Sequence, residues 1–144
     1  MSVDSLVLAQ QDGKLDNIII ESSVHVAVGS LVLLSLAVCT FWLVRRALAG
    51  ETVDQTGRIL IGVTQAVLTV QILLGIKLLD QGQGWNQLYI HYIGGLVPMG
   101  AFVVGGWWVR GDTGRQTRIL AGLVALGLVS AVMAFAIGQS YANR

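Results

Sequence analysis

The sequence predicts an all-α fold, an integral membrane four-helix bundle with both termini on the outer side of the bilayer. Three observations carry that expectation: a low share of charge, apolar residues gathered into long blocks, and arginines placed at the ends of those blocks. Of the 144 residues, 54% are hydrophobic and 12% charged, with a mean hydropathy of +0.71. A water-soluble domain carries about 25% charged residues, so half that share calls for an apolar solvent. The blocks run over about 24–44, 59–79, 88–109 and 119–138. Each is long enough to cross about 30 Å of hydrocarbon as a helix. A single domain, 1–144, is therefore expected, with residues 1–17 as an extramembrane arm. That arm has no basic stretch followed by a long apolar run, so no cleavable signal peptide is expected. The net charge of +1 points to no nucleic-acid partner, and the lone Cys39 excludes an internal disulfide or a thiolate zinc site.

Arg45 and Arg46 close the first block and Arg58 opens the second; Arg110 closes the third and Arg118 opens the fourth. With Arg115, six basic residues lie in the loops after the first and third spans, against Lys14, Lys77 and Arg144 on the other side. The positive-inside rule places the six in the cytoplasm. Residues 81–87 (QGQGWNQ) and both termini then face outward, as expected for a multi-pass protein of the plasma membrane. Aromatic residues fit this orientation, with Trp42, Trp107 and Trp108 at the inner interface and Trp85, Tyr89 and Tyr141 at the outer one.

Polar and small residues mark the inward faces. Thr64, Gln71 and Gly75 share one side of the second span. The third holds Gly94, Gly95, Gly100, Gly105 and Gly106, with Pro98 expected to kink or loosen it. Gly127, Ala131, Ala134 and Gly138 form a stripe on the fourth, suited to close packing within the chain or to a homo-oligomer through this helix.

The two histidines, His25 and His91, lie near the outer ends of the first and third spans. With a rise of about 1.5 Å per residue, their depths differ by about 3–5 Å. Alternate helices of a four-helix bundle stand diagonally, so the two imidazoles can clamp a flat group between them. Axial ligation of a single haem b is the chemistry that suits such a pair. Gly29, Gly94 and Gly95 leave space beside the two histidines, and Gly75 lies at a comparable depth. Lys77, with Asn86 and Tyr89, is placed to meet propionates, and Glu21, one turn before His25, to brace that ring. The competing readings are a structural histidine pair, a proton relay, or a metal ion for which Glu21 supplies a third ligand.

The segments ESSVHVAVGSLVLLSLAV, VQILLGIKLL and LYIHYIGGLVPMGAFV, within residues 17–104, resemble the repeated half of the haem A synthase family. In that family, a histidine-bearing helix is followed by a helix with a Gln and a Leu-Gly pair, then by a second histidine-bearing helix. The resemblance implies that His25 and His91 are haem ligands and that Glu21 matches an acidic residue before the first ligand. Here that spacing is four rather than three, Val26 stands where the family has arginine, and one histidine pair replaces two. Four-helix b-type membrane cytochromes share the architecture.

The resulting expectation is a small haem-binding electron-transfer subunit or haem-handling factor of a respiratory or photosynthetic chain. Its partners would be the lipid bilayer, other membrane subunits and quinone, and any enzymatic activity would be an oxidoreduction of haem or quinone. The alternative is a cofactor-free structural subunit of a larger membrane complex. A transporter with Glu21, Gln65 and Gln71 along its path ranks below both, because no charged residue sits in mid-span. For the topology, Gly84→Cys is expected to react with a membrane-impermeant maleimide on intact cells, while Thr113→Cys stays unlabelled. The reverse pattern inverts the orientation.

Overall fold

The computed structural model describes residues 19–82 and 89–142, without the side chains at 89, 90, 106–108, 141 and 142. Lys14, Trp85, Asn86 and Arg144, and the side chains of Tyr89, Trp107, Trp108 and Tyr141, lie outside the described residues. Four helices follow one another: α1 (Ser22–Leu48), α2 (Gln55–Asp80), α3 (Tyr89–Trp108) and α4 (Gly114–Ala142), with no strand among the described residues. Each covers one of the apolar blocks. Three are long and apolar enough to cross a membrane, namely α1, α2 and Gly114–Ser140 of α4; the described apolar stretch of α3, His91–Gly105, is shorter.

Short connections make sequential helices antiparallel. Close packing joins α1 to α2, α1 to α4, and α3 to α4, while α2 and α3 touch least. α1 and α3 stand diagonally across the bundle, as do α2 and α4. The tightest core lies in the middle and at the arginine-bearing end, around Leu36, Cys39 and Leu43 of α1, Phe102 of α3 and Val124 of α4. Outward-facing positions are apolar as well, including Leu34, Phe41, Leu73, Ile93, Leu126 and Met133. An apolar exterior over an apolar core is the arrangement a lipid solvent favours.

The arginine end is closed by a network of hydrogen bonds and ion pairs centred on Arg46 and Asp54. Asp54 caps α2 by accepting from the Gly57 N–H at 2.8 Å, and the same oxygen accepts from Trp42 Nε1 at 2.9 Å. Arg46 pairs with Glu51 at 2.8 Å and donates to the Thr52 carbonyl at 2.9 Å. The two loops are then stitched together, Val53 N–H donating to the Gly111 carbonyl at 3.0 Å and Arg58 pairing with Asp112 at 3.0 Å. Gly111, at φ 75°, lies so close to Val53 that any side chain there would collide with it. At the opposite end Gln81 accepts from the Ile20 N–H at 2.7 Å and donates to the Ile20 carbonyl at 2.9 Å.

α3 runs helically through Pro98. Proline has no N–H, so the Gly94 carbonyl, four residues earlier, loses its helical partner. Ser130 of α4 replaces it, its hydroxyl donating to that oxygen at 3.0 Å. Glycine makes the approach possible on both helices. A Cβ at Gly94 would lie 3.2 Å from Ala134 Cβ, and one at Gly127 would lie 3.2 Å from Pro98 Cα. The small-residue stripe of α4 therefore faces α3 of the same chain. Other positions of the same helix, Leu126, Val129, Val132 and Met133, face outward.

Ser130→Ala is expected to lower stability by about 1 kcal/mol, the usual worth of one interhelical hydrogen bond in an apolar solvent. Gly127→Leu should lower the thermal midpoint in detergent further than Leu128→Ala does, since it drives a branched side chain into the Pro98 backbone. Equal shifts for those two would mean that the stripe does not face α3.

Candidate functional site

His25 lies in the first turn of α1 and His91 in the first turn of α3. Although carried on diagonal helices, the two rings meet inside the bundle with centroids 6.1 Å apart and planes at 61°. Each ring is held by a different partner. His91 Nδ1 lies 2.7 Å from the Ala134 carbonyl oxygen of α4. A carbonyl only accepts, so the proton resides on Nδ1 and the Nε2 lone pair is left exposed. The ring fits against α4 because residue 138 is glycine: a Cβ there would stand 3.1 Å from His91 Cε1. Tyr92 meets the same ring edge-on at 5.7 Å.

His25 Nε2 faces the amide nitrogen of Gln71 on α2 at 3.1 Å. The amide donates and the imidazole accepts, which puts the His25 proton on Nδ1. Both His25 Nδ1 and Gln71 Oε1 are buried without a hydrogen-bond partner. Two glycines admit this pair. A Cβ at Gly75 would lie 3.4 Å from His25 Cε1, and one at Gly29 would lie 3.2 Å from the Gln71 amide.

The histidines and Gln71 line a cavity of about 270 Å³. Its walls come from all four helices and are otherwise almost wholly apolar, with Val32, Leu68, Pro98 and Phe135 among them. Two of its lining residues, Ile76 of α2 and Leu96 of α3, are half exposed, and these two helices touch least of the neighbouring pairs. Its size is close to the lower end of ligand pockets, about 300–1,000 Å³.

The residues singled out in the sequence separate into three groups. His25, His91, Gly29, Gly75 and Gly95 all line the cavity. Gly94 does not: it is spent on the contact with α4, whereas a Cβ on Gly95 meets nothing within 4 Å. Glu21 and Lys77 are turned to other partners. Glu21 is the N-cap of α1, with ψ at 142°, so it stands off the helix instead of one turn above His25. Its carboxylate accepts from Ser23 Oγ at 3.1 Å, and the expected brace on His25 is absent. Lys77 pairs with Asp80 at 2.8 Å, both side chains being largely buried, and is not part of the cavity wall. Among the described residues no three His, Cys, Asp or Glu side chains come together. Glu21 therefore supplies no third ligand for a zinc or copper ion.

Several contributors had not been singled out for the site. The Ala134 carbonyl carries no sequence signal. Gly138 was visible only as the end of a packing stripe, and Gln71 as a member of a polar face and of the VQILLGIKLL segment, not as a partner of a histidine. The spacing of four between Gln71 and Gly75 does place both on one helical side, but nothing in the sequence says that His25 lies opposite.

Chemically, the site offers two imidazoles, one with its Nε2 free and one with its Nε2 covered by an amide, beside an apolar cavity. Two imidazoles bound on opposite sides of one metal centre, each nitrogen at about 2 Å, have ring centres about 6 Å apart, against about 5 Å at a tetrahedral ion. The separation here, 6.1 Å, fits that requirement, and the glycines behind the rings supply space that side chains would fill. The donor set thus suits a metal carried inside a flat apolar group better than a bare ion needing three or four protein ligands.

Comparison with protein-family models, curated proteins and solved structures found no match to this chain.

The neighbouring glycines of α3 give a direct check on the cavity geometry. Gly94→Ala is expected to lower the thermal midpoint in detergent by pressing on Ala134, and Gly95→Ala to leave it nearly unchanged. Equal destabilisation by the two would contradict the placement of Gly95 on the open side.

Proposed function

We propose that this chain is a small membrane protein that binds a single haem b between His25 and His91, as an electron-transfer subunit or haem-handling factor. The observation that carries the reading is the convergence of two Nδ1-protonated histidines from diagonal helices, 6.1 Å apart, on an apolar cavity. Haem, when bound, supplies reversible one-electron chemistry.

The protein's own groups hold, orient and insulate. The Ala134 carbonyl keeps the His91 ring in one orientation and makes Nε2 a better donor, as hydrogen-bonded backs of ligating histidines do. Gly138 and Gly75 let the rings sit back against α4 and α2. The apolar walls keep water from the site, which favours the less charged redox state. The half-exposed Ile76 and Leu96 in the cavity lining, on the two helices that touch least, support quinone as redox partner. The excess of arginine at the opposite end supports an orientation with the histidines near the outer face of the plasma membrane.

A cofactor-free structural subunit is the second reading. It draws on the Gln71 amide, which already occupies His25.

An absorption spectrum of the purified protein distinguishes the two. With haem supplied during expression, a Soret band and a sharp α band on reduction are expected. His25→Ala and His91→Ala should each remove the low-spin signature, with similar spectra, because both ligate one iron. A wild-type protein without bound haem, or a variant that keeps the low-spin bands, would overturn the proposal.

A further inference from the structure

We infer that Gln71 is a displaceable latch on His25, covering the ligating nitrogen while the cavity is empty and giving it up when a ligand enters. The inference rests on the haem reading of the histidine pair and concerns how that pair becomes available.

The two histidines are not equivalent. His91 is tied through Nδ1 to a backbone carbonyl, a partner that cannot leave without unwinding α4, and among the described residues no hydrogen bond engages its Nε2. His25 is held the other way round. Its Nε2 accepts from Gln71 at 3.1 Å, while its Nδ1 has no partner. An imidazole nitrogen has one lone pair, so amide and metal cannot share it. Ligation through Nε2 therefore requires Gln71 to move.

Gln71 is built to move cheaply. Its amide oxygen is buried without a partner among the described residues, and there the contact with His25 is the one hydrogen bond its amide makes. Its side chain lies where Gly29 offers no Cβ, on the cavity wall and not in the packed core. While in place, the latch does something useful for the later event. By donating to Nε2, it keeps the His25 proton on Nδ1, so the nitrogen uncovered on its departure already carries a lone pair.

The experiment uses the full-length chain in detergent, freed of haem, with hemin as the probe and nitrogen NMR of the imidazoles as an independent readout. Gln71→Leu removes the latch and should tighten hemin binding by about 5-fold, the worth of one net hydrogen bond. Gln71→Glu should weaken it, since a carboxyl group binds an imidazole more strongly than an amide does, whichever partner holds the proton. A residue with only a structural role would shift both variants in the same direction. In the hemin-free protein, His25 should be a single Nδ1-protonated tautomer that becomes mixed in Gln71→Leu. Gln71→Met, similar in length to the native side chain, repeats the test if the leucine variant is unstable. Weaker hemin binding in both the leucine and glutamate variants, or an unchanged His25 tautomer, would overturn the latch. If the wild type takes up no hemin, the haem reading fails, and the latch is decided by the tautomer alone.

Discussion

Pro98 removes one backbone hydrogen bond from the middle of α3, and the consequences reach the histidine end of the bundle. A carbonyl left open inside an apolar environment must find a donor, and the Gly94 oxygen finds it in Ser130 of α4. For that hydroxyl to reach, the helices must come close, which is why Gly94 and Gly127 leave little room for a side chain. One turn earlier on α3, the same close approach brings His91 against the backbone of α4, where the Ala134 carbonyl accepts from its Nδ1–H and Gly138 leaves room for the ring. The position of one candidate ligand thus depends on a contact made to repair a helix.

The two ends of the bundle solve different problems. At the arginine end, Asp54, Trp42, Arg46 and the Val53–Gly111 contact lock the loops together, and the core beneath is filled by Leu36, Leu43, Phe102 and Val124. At the histidine end, α2 and α3 stay apart and the space between them is hollow. A bundle gains dispersion energy from every contact it makes, so a cavity of about 270 Å³ beside three polar side chains is a departure that packing alone does not call for. At the other end the chain is joined across this gap, where Arg58 of α2 pairs with Asp112 in the loop after α3 and Val53 N–H donates to the Gly111 carbonyl.

Within the site, the contrast between the two histidines sets what each can do. A backbone carbonyl is a permanent partner, whereas a side-chain amide is a conditional one, and His91 and His25 have one of each. Such asymmetry is compatible with a pair that binds one ligand between them, with one side preset and the other adjustable. It also explains why Glu21 is not needed as a brace. The tautomer of His25 is already assigned by Gln71, and a carboxylate at the helix N-cap remains at the exposed surface with Ser23.

The composition and the spacing of apolar blocks determined the four helices and their order, because length and hydropathy are local properties of the chain. They also determined that His25 and His91 enter their helices at the same end, since alternate helices of an antiparallel bundle run in the same direction. The polar face of α2 and the small stripe of α4 were legible as faces, but not which helix each would meet. Only the tertiary structure decided that Gly94 packs against α4 while Gly95 borders the cavity, though they are adjacent and chemically identical. It also turned Lys77 to Asp80 and Glu21 to Ser23, because each partner lies within one turn of its own helix end and is reached at less conformational cost than a group across the bundle. The Ala134 carbonyl and the Gln71 amide became partners of the histidines for a related reason. A backbone carbonyl has no identity in the sequence, and which polar group faces which ring depends on helix rotation and interaxial distance, which are properties of packed pairs and not of any single helix.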